Sequence, residues 1–122
     1  MTTRSKIERF EDLEVWKKGM QLAVAVYEQL AGCRDFGLRD QMQRAAVSTP
    51  SNIAEGYERG SNKAFIQYLC IARGSTGELR TQLYLALKLR LLAPATAKKL
   101  LAESRQVSAM LTRYITVRKT CF

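Results

Sequence analysis

The fold is decided at residues 44–60, which read RAAVSTPSNIAEGYERG. Small residues dominate this segment, and Gly56 and Gly60 stand near its end. Helices built from such residues approach their neighbours closely. Pro50 removes one backbone donor and its ring clashes with the carbonyl of Ala46, so the pattern predicts one helix with a bend at the proline. A break into two helices is the alternative.

Apolar residues at steps of three and four continue the helical pattern on both sides of this segment. They predict a first helix that begins in the acid-rich segment 11–14 and ends at Leu30, and a second from about Leu38 to Gly56. A third helix is expected from a cap at Ser61 or Asn62 to about Leu92, and a fourth from Pro94 to residue 118. Short connections between long helices favour antiparallel neighbours. The predicted fold is all-α, an antiparallel up-down-up-down four-helix bundle with its second helix kinked at Pro50. Its parts are a flexible arm at 1–10, the bundle domain at 11–118 and a C-terminal tail at 119–122.

The first predicted helix carries two apolar stripes. One consists of Leu13, Trp16, Met20, Ala23, Val24, Tyr27 and Leu30, and the other of Val15, Leu22, Val26 and Gln29. One stripe is enough for the core of a monomer. The pair therefore indicates burial on two sides, by neighbouring helices or by another subunit.

Two glycines, Gly74 and Gly77, weaken the third predicted helix. We expect them to face the small-residue segment 44–60, because a close approach of two backbones is a physical reason for glycine inside a helix.

The composition limits the chemistry that the chain can perform. The 122 residues fit one domain. There is no histidine, and Cys33, Cys70 and Cys121 are one ligand short of a zinc site, so we expect free, reduced thiols and neither metal nor cofactor. No apolar run reaches the length of a membrane span, and the N-terminus does not read as a signal peptide. The expected location is the cytoplasm.

The formal net charge of +9 is concentrated late in the chain. From Leu79 onward there are nine bases and one acid, Glu103, whereas residues 1–78 hold eleven bases and ten acids. Bases seven residues apart lie along one side of a helix, an arrangement that suits a row of phosphates. The predicted nucleic-acid-binding residues are Arg73, Arg80, Lys88, Lys98, Lys99, Arg105 and Arg113. A merely solvated face is the alternative.

Four polar residues line one side of the second predicted helix: Arg44, Ser48, Asn52 and Glu55. We favour a structural polar network in which Arg44 and Glu55 pair with groups on the third helix such as Ser75 or Glu78. A ligand or nucleic-acid contact is the alternative. If the network is structural, Glu55→Ala should lower the melting temperature or break an oligomer.

Catalytic patterns are missing from the sequence. There is no histidine to act as a base, no phosphate-binding glycine loop and no nucleophile motif. Gly56 and Gly60 do not form a Walker motif, because no Gly-Lys-Ser/Thr follows. The sequence predicts that the protein is not an enzyme.

Three stretches carry a resemblance to a known family: Phe10-x-x-Leu13-x-Val15-Trp16, then Leu38-x-x-Gln41-x-x-Arg44-Ala-Ala-Val-Ser-x-Pro-Ser-Asn-Ile-Ala-Glu-Gly56, then Phe65-x-x-Tyr68-Leu69-x-Ile71-Ala72-x-Gly74-Ser75-x-x-Glu78-Leu79. They resemble the bacterial four helix bundle protein family, encoded in intervening sequences of large-subunit ribosomal RNA genes. That family is related to the accessory variability determinant of diversity-generating retroelements. Thr49 stands where the family often has isoleucine, a departure that should leave the fold unchanged.

The resemblance implies a four-helix bundle that assembles as a homopentamer. For the retroelement relative it also implies a basic surface that binds nucleic acid and a reverse transcriptase. Together with the charge, it predicts a homo-oligomer that binds RNA or DNA with weak sequence specificity, or a nucleic-acid enzyme, through helices three and four. A membrane partner is not expected, because the basic helix lacks a tryptophan or phenylalanine anchor. The alternative is a structural or protein-interaction module without nucleic-acid binding.

Overall fold

A computed structural model describes residues 6–122, which form four α-helices. They are α1 (Glu14–Leu30), α2 (Phe36–Glu58), α3 (Asn62–Lys88) and α4 (Pro94–Thr120), after one 3₁₀ turn at Phe10–Asp12. This part of the chain contains no strand. Short connections make consecutive helices antiparallel, and each helix packs against two neighbours in the cyclic order α1–α2–α3–α4. The predicted all-α four-helix bundle is confirmed. Residues 1–5 of the predicted arm lie outside the described range.

One row of side chains from each helix fills the core. The largest side chains without exposure are Leu30, Met42, Ile53, Leu69, Leu79, Leu83 and Leu111. Two buried hydroxyls are bonded to each other, with 3.0 Å between the Oγ1 atoms of Thr49 and Thr76. Because Thr76 donates its proton to the carbonyl of Ala72 at 2.9 Å, Thr49 is the donor in this pair. The core therefore holds α2 and α3 in register without an unsatisfied hydroxyl at this point.

The segment at residues 44–60 belongs to one uninterrupted helix. α2 begins at Phe36, two residues before the predicted start, because the side chain of Asp35 caps it by accepting the Leu38 N–H at 3.0 Å. Pro50 lies buried inside α2, so the alternative of two separate helices is wrong. Gly19 of α1 faces the proline, and a Cβ added there would lie 3.6 Å from Pro50 Cβ.

The close approach of α2 to α3 occurs at Gly56. A Cβ at this position would lie 2.5 Å from Tyr68 Cβ and 3.2 Å from Phe65 Cδ1. Gly74 and Gly77 have open space where a Cβ would project, so the prediction that they face the small-residue segment is wrong. Both glycines lie on the outside of α3, because of the way that helix is rotated about its axis.

α3 ends at Lys88, earlier than the predicted end near Leu92. Arg90 adopts the left-handed conformation with φ 58°, and the Leu91 N–H bonds the carbonyl of Ala86 at 2.9 Å. This pair of features is the Schellman ending of a helix, which usually places glycine where Arg90 stands. The chain then turns into α4 at Pro94.

α4 continues through Thr120, two residues beyond the predicted boundary at 118. Its end is fastened to the start of α3: Arg118 Nε donates to Asn62 Oδ1 at 2.7 Å, and Asn62 Nδ2 donates to the Arg118 carbonyl at 3.0 Å. The Arg118 guanidinium also lies 4.9 Å from the ring centre of Phe65 and 4.0 Å from that of Phe122. The predicted tail is thus partly helical, because side-chain contacts from α3 reach its base.

Candidate nucleic-acid interface

The ion pairs within residues 6–122 all lie in the first half of the chain. They are Arg9–Asp12 at 3.7 Å, Lys17–Glu14 at 3.3 Å, Arg39–Asp40 at 3.5 Å and Arg59–Glu55 at 2.8 Å. None involves a base after residue 59. The positive charges of α3 and α4 are therefore not neutralised by ion pairs within the described part of the chain.

Three arginines form hydrogen bonds across the outer seam between α3 and α4. Arg73 Nη1 donates to Thr112 Oγ1 at 3.3 Å, and Arg80 Nη1 donates to Ser108 Oγ at 3.1 Å. Arg105, on α4, donates in the opposite direction to the hydroxyl of Tyr84 on α3. We call Arg73, Arg80 and Arg105 the arginine ladder. Since the partners are neutral hydroxyls, each guanidinium is oriented while its charge remains available.

The register of two antiparallel helices produces this arrangement. Arg73 and Arg80 are seven residues apart, about 10 Å along one side of α3. Along the seam, the residue numbers on α3 rise from Arg73 to Tyr84, while those of their partners on α4 fall from Thr112 to Arg105. Arg73 and Arg80, two turns apart on α3, meet Thr112 and Ser108, one turn apart on α4, and Tyr84, one turn beyond Arg80, meets Arg105.

The acid nearest in sequence to the α4 part of the ladder lies on another side of that helix. Glu103 lines a small cavity between α1 and α4 together with Lys18, Gln21 and Gln106. Arg105 instead contacts α3. The one acid after Leu79 thus lies on the α1 side of α4, away from the seam that carries the ladder.

The other predicted binding residues do not all lie on this seam. Lys88 is in the last turn of α3, and Lys98 and Lys99 are exposed near the start of α4, so these three lie at the α3–α4 turn. Arg113 lines a cavity of about 630 Å³ between α4 and the start of α1, which it shares with Asp12, Glu14 and Lys17. Grouping Arg113 with Arg105 was therefore wrong, because a step of eight residues turns a helix by 80°.

Sequence reasoning did not single out the hydroxyls that orient the ladder. Tyr84, Ser108 and Thr112 look ordinary in isolation. Their positions could have been found from the antiparallel geometry. Residue numbers rise along one helix as they fall along the other, so the two numbers of each bonded pair (73 with 112, 80 with 108, 84 with 105) add up to nearly the same value. Applying that rule needs one known contact between the helices.

The predicted polar network forms only in part. The hydroxyls of Ser48 and Ser75 are 2.8 Å apart, and Asn52 Nδ2 donates to the Ser48 carbonyl at 2.8 Å and to its hydroxyl at 2.9 Å. Of these three bonds, the Ser48–Ser75 bond links α2 to α3, and the two Asn52 bonds hold Ser48 from within α2.

The charged residues that were predicted to join this network do not bond Ser48, Asn52 or Ser75 within the described residues. Glu55 accepts at 2.8 Å from Arg59, the residue that follows α2, and this guanidinium, followed by the Tyr68 hydroxyl, holds the pKa of Glu55 below its ordinary value. Arg44 and Glu78 are exposed and bond none of these side chains within the described residues. Charged groups at exposed positions keep their water, so no buried pair across α2 and α3 forms.

An apolar groove lies between α1 and α2, on the side of the bundle opposite the ladder. It has a volume of about 500 Å³ and is lined by Trp16, Met20, Ala23, Val24, Tyr27, Glu28, Val47, Pro50, Ser51 and Ala54. Val24 is 51% exposed and Tyr27 is 46% exposed, whereas Val15, Leu22 and Val26 are buried. Of the two stripes on α1, one therefore joins the core, and a large part of the other remains open to solvent. Gln29, which the sequence pattern assigned to the same stripe as Val15, Leu22 and Val26, is exposed.

The described residues offer no group of three or more side chains suited to hold a metal ion. The cysteines are free, with Cys33 buried, Cys70 half-buried and Cys121 exposed. None of the described helices is long and apolar enough to span a membrane.

The comparisons with known proteins agree with this architecture. Residues 11–113 match the model of a family described as 23S rRNA-intervening sequence protein, which confirms the resemblance noted from the sequence. A solved structure of a protein of unknown function from the S23 ribosomal protein family of Bacteroides thetaiotaomicron VPI-5482 is similar, with a TM-score of 0.78 at 24% identity. The likeness covers 83% of this chain and 97% of that one, and it shows the fold. No curated protein matches the chain.

Proposed function

The chain belongs to the 23S rRNA-intervening sequence protein family, and we propose that it acts as a non-enzymatic oligomer that binds RNA or DNA through the arginine ladder. The observation that carries this proposal is the fixed row of guanidiniums bonded to hydroxyls rather than to carboxylates. Guanidiniums that neutralise phosphates release the cations condensed on a nucleic acid, and the entropy of these released ions favours binding of a polyanion to such a row.

The binding should be weakly specific for sequence. Phosphate contacts position a nucleic acid without reading its bases. Lys88, Lys98 and Lys99 extend the positive field from the seam toward the α3–α4 turn. Arg113 contributes less, because Asp12 and Glu14 line the same cavity.

The occupant of the α1–α2 groove is, in this proposal, a second copy of the chain. Copies that each carry +9 repel, so they associate best through the surface with the least excess charge. Residues 1–78 are nearly neutral, and the groove between α1 and α2 belongs to that part. Assembly there would turn the ladders outward around a ring, which the family resemblance predicts to be a pentamer.

The direct test removes charge from the ladder. Wild-type protein and the double variant Arg73→Gln/Arg80→Gln are titrated against labelled RNA and DNA at several salt concentrations. The variant should bind more weakly, and the negative slope of log affinity against log salt should become shallower, by about 1.4 for single strands or about 1.8 for duplexes. The double variant Lys6→Gln/Arg34→Gln is the control, because it loses the same charge from exposed positions in the first half of the chain.

Absence of binding by the wild type at low salt would refute the proposal. Equal losses in the ladder variant and the control would show that net charge acts without the ladder. In that case the rival function, a structural or protein-interaction module, is favoured. A nucleic-acid enzyme such as a reverse transcriptase is a further partner of the same surface, and its retention on the immobilised protein should show the same dependence on Arg73 and Arg80.

A further inference from the structure

Tyr84 is an aromatic residue at one end of the arginine ladder. Its ring is on α3, 41% exposed, and its hydroxyl accepts from Arg105 on α4. The Arg105 guanidinium carbon lies 5.8 Å from the ring centre, near the limit of about 6 Å for a cation–π contact. Arg105 thus holds the ring mainly by its hydroxyl and leaves ring surface open to another partner.

Four residues follow one line along α3: Arg73, Gly77, Arg80 and Tyr84, at steps of four, three and four. The line is about 16 Å long and presents two cations and then a ring. Between the cations, Gly77 has nothing within 4 Å of where a Cβ would project. A chain of phosphates lying along this line finds open space at Gly77 and reaches an aromatic ring beyond Arg80.

Duplex and single-stranded nucleic acids differ in what they offer this ring. In a duplex the base faces are stacked on one another, so an exposed tyrosine gains little. In a single strand the base faces are available, and stacking on an aromatic side chain contributes about 1–3 kcal/mol per base. A row of cations with an aromatic ring is the combination that favours single strands.

We infer that the ladder prefers single-stranded nucleic acid, with one unpaired base stacked on Tyr84 while Arg73 and Arg80 hold phosphates of the same strand. This inference rests on the proposed function. The shared ligand is a phosphodiester chain with unpaired bases, so RNA and DNA are both tested.

The experiment measures fluorescence anisotropy with a labelled 15-nucleotide uridine-rich RNA, the corresponding thymidine-rich DNA, and a 15-base-pair duplex, at one salt concentration. The wild type should bind both single strands more tightly than the duplex. Tyr84→Leu should weaken single-strand binding about 5- to 150-fold, and it should weaken duplex binding no more than Tyr84→Phe does, because both variants lose the hydroxyl that orients Arg105. Tyr84→Phe is the matched variant, because it keeps the ring and removes the bond to Arg105. It should retain most of the single-strand affinity.

Each contrary result has a distinct meaning. Equal wild-type affinity for single strands and duplex, or tighter duplex binding, would overturn the inference and leave the proposed function intact. A loss in Tyr84→Phe as large as that in Tyr84→Leu would show that the hydroxyl positions Arg105 and that the ring does not stack. A wild type that binds no probe at low salt would refute the proposed function itself. Circular dichroism of both variants checks that the helices are retained.

Discussion

At the scale of single residues, glycine has two different roles in this bundle. Gly56 lies where α2 meets α3, and Phe65 beside it is held by edge-on contacts with the rings of Tyr57 and Tyr114. Gly74 lies on the outside of α3 with open space around it. The same residue type is a packing requirement at the first position and a cost to the helix at the second.

Alanine substitutions should separate these roles. Gly56→Ala should destabilise the protein by about 1–3 kcal/mol, because the new methyl group meets Tyr68 Cβ, which is fixed to the backbone. Gly74→Ala should stabilise it by up to about 1 kcal/mol, through helix propensity alone. Urea unfolding at one protein concentration measures both. Equal stability of the two variants would show that α3 shifts freely away from α2.

Glu55 has a smaller structural role than its position in the sequence indicates. Its partner Arg59 directly follows the same helix, and both side chains are about half exposed. Water screens exposed pairs one turn apart, so they contribute little to stability. The earlier expectation that Glu55→Ala breaks an oligomer therefore loses its physical basis. The lowered pKa of Glu55 favours folding above the ordinary carboxyl pKa, and that contribution is lost as the pH falls through the lowered value.

At the scale of elements, the end of α3 combines strain with charge. Arg90 holds a left-handed φ of 58°, which costs a residue with a Cβ roughly 1 kcal/mol relative to glycine. Lys88 precedes it and Lys98 and Lys99 follow it, so the strained residue belongs to the most basic end of the bundle.

The variant Arg90→Gly should raise the free energy of unfolding by about 1 kcal/mol, because glycine adopts this conformation without a Cβ clash. Arg90→Ala removes the same charge and keeps the Cβ, so it should not show this gain. Thermal unfolding of the two variants, followed by circular dichroism, makes the comparison. Equal gains in both would assign the effect to relief of charge repulsion rather than of backbone strain.

At the scale of the whole molecule, the two outer seams have opposite character. The α3–α4 seam carries the unneutralised arginines, and the α1–α2 seam carries the apolar groove. Since the helices pack in the order α1–α2–α3–α4, these seams lie on opposite sides of the bundle. The proposed function assigns a polyanion to the first surface and another copy of the same protein to the second.

A charged side chain in the groove should disrupt that assembly. In Val24→Glu, contact between copies would bury a carboxylate without a partner, so the oligomer should dissociate to the 13.8 kDa chain. Leu85→Glu is the matched control, because Leu85 is 46% exposed on α3 and does not line the groove. Light scattering coupled to size exclusion gives both masses. A monomeric wild type, or an oligomeric Val24→Glu variant, would contradict the role proposed for the groove.

Local sequence accounts for the number and order of the helices, for a cap at Ser61 or Asn62 and for the concentration of positive charge after Leu79. These depend on local periodicity, capping chemistry and composition, all of which act over a few residues. Three features are set by the packed bundle: which stripe of α1 enters the core, that Gly56 rather than Gly74 meets a neighbouring helix, and that Arg105 but not Arg113 joins the ladder. Each of these depends on how a helix is rotated about its axis and on its register with a partner distant in sequence. Packing of the whole core sets both, and no single segment encodes them.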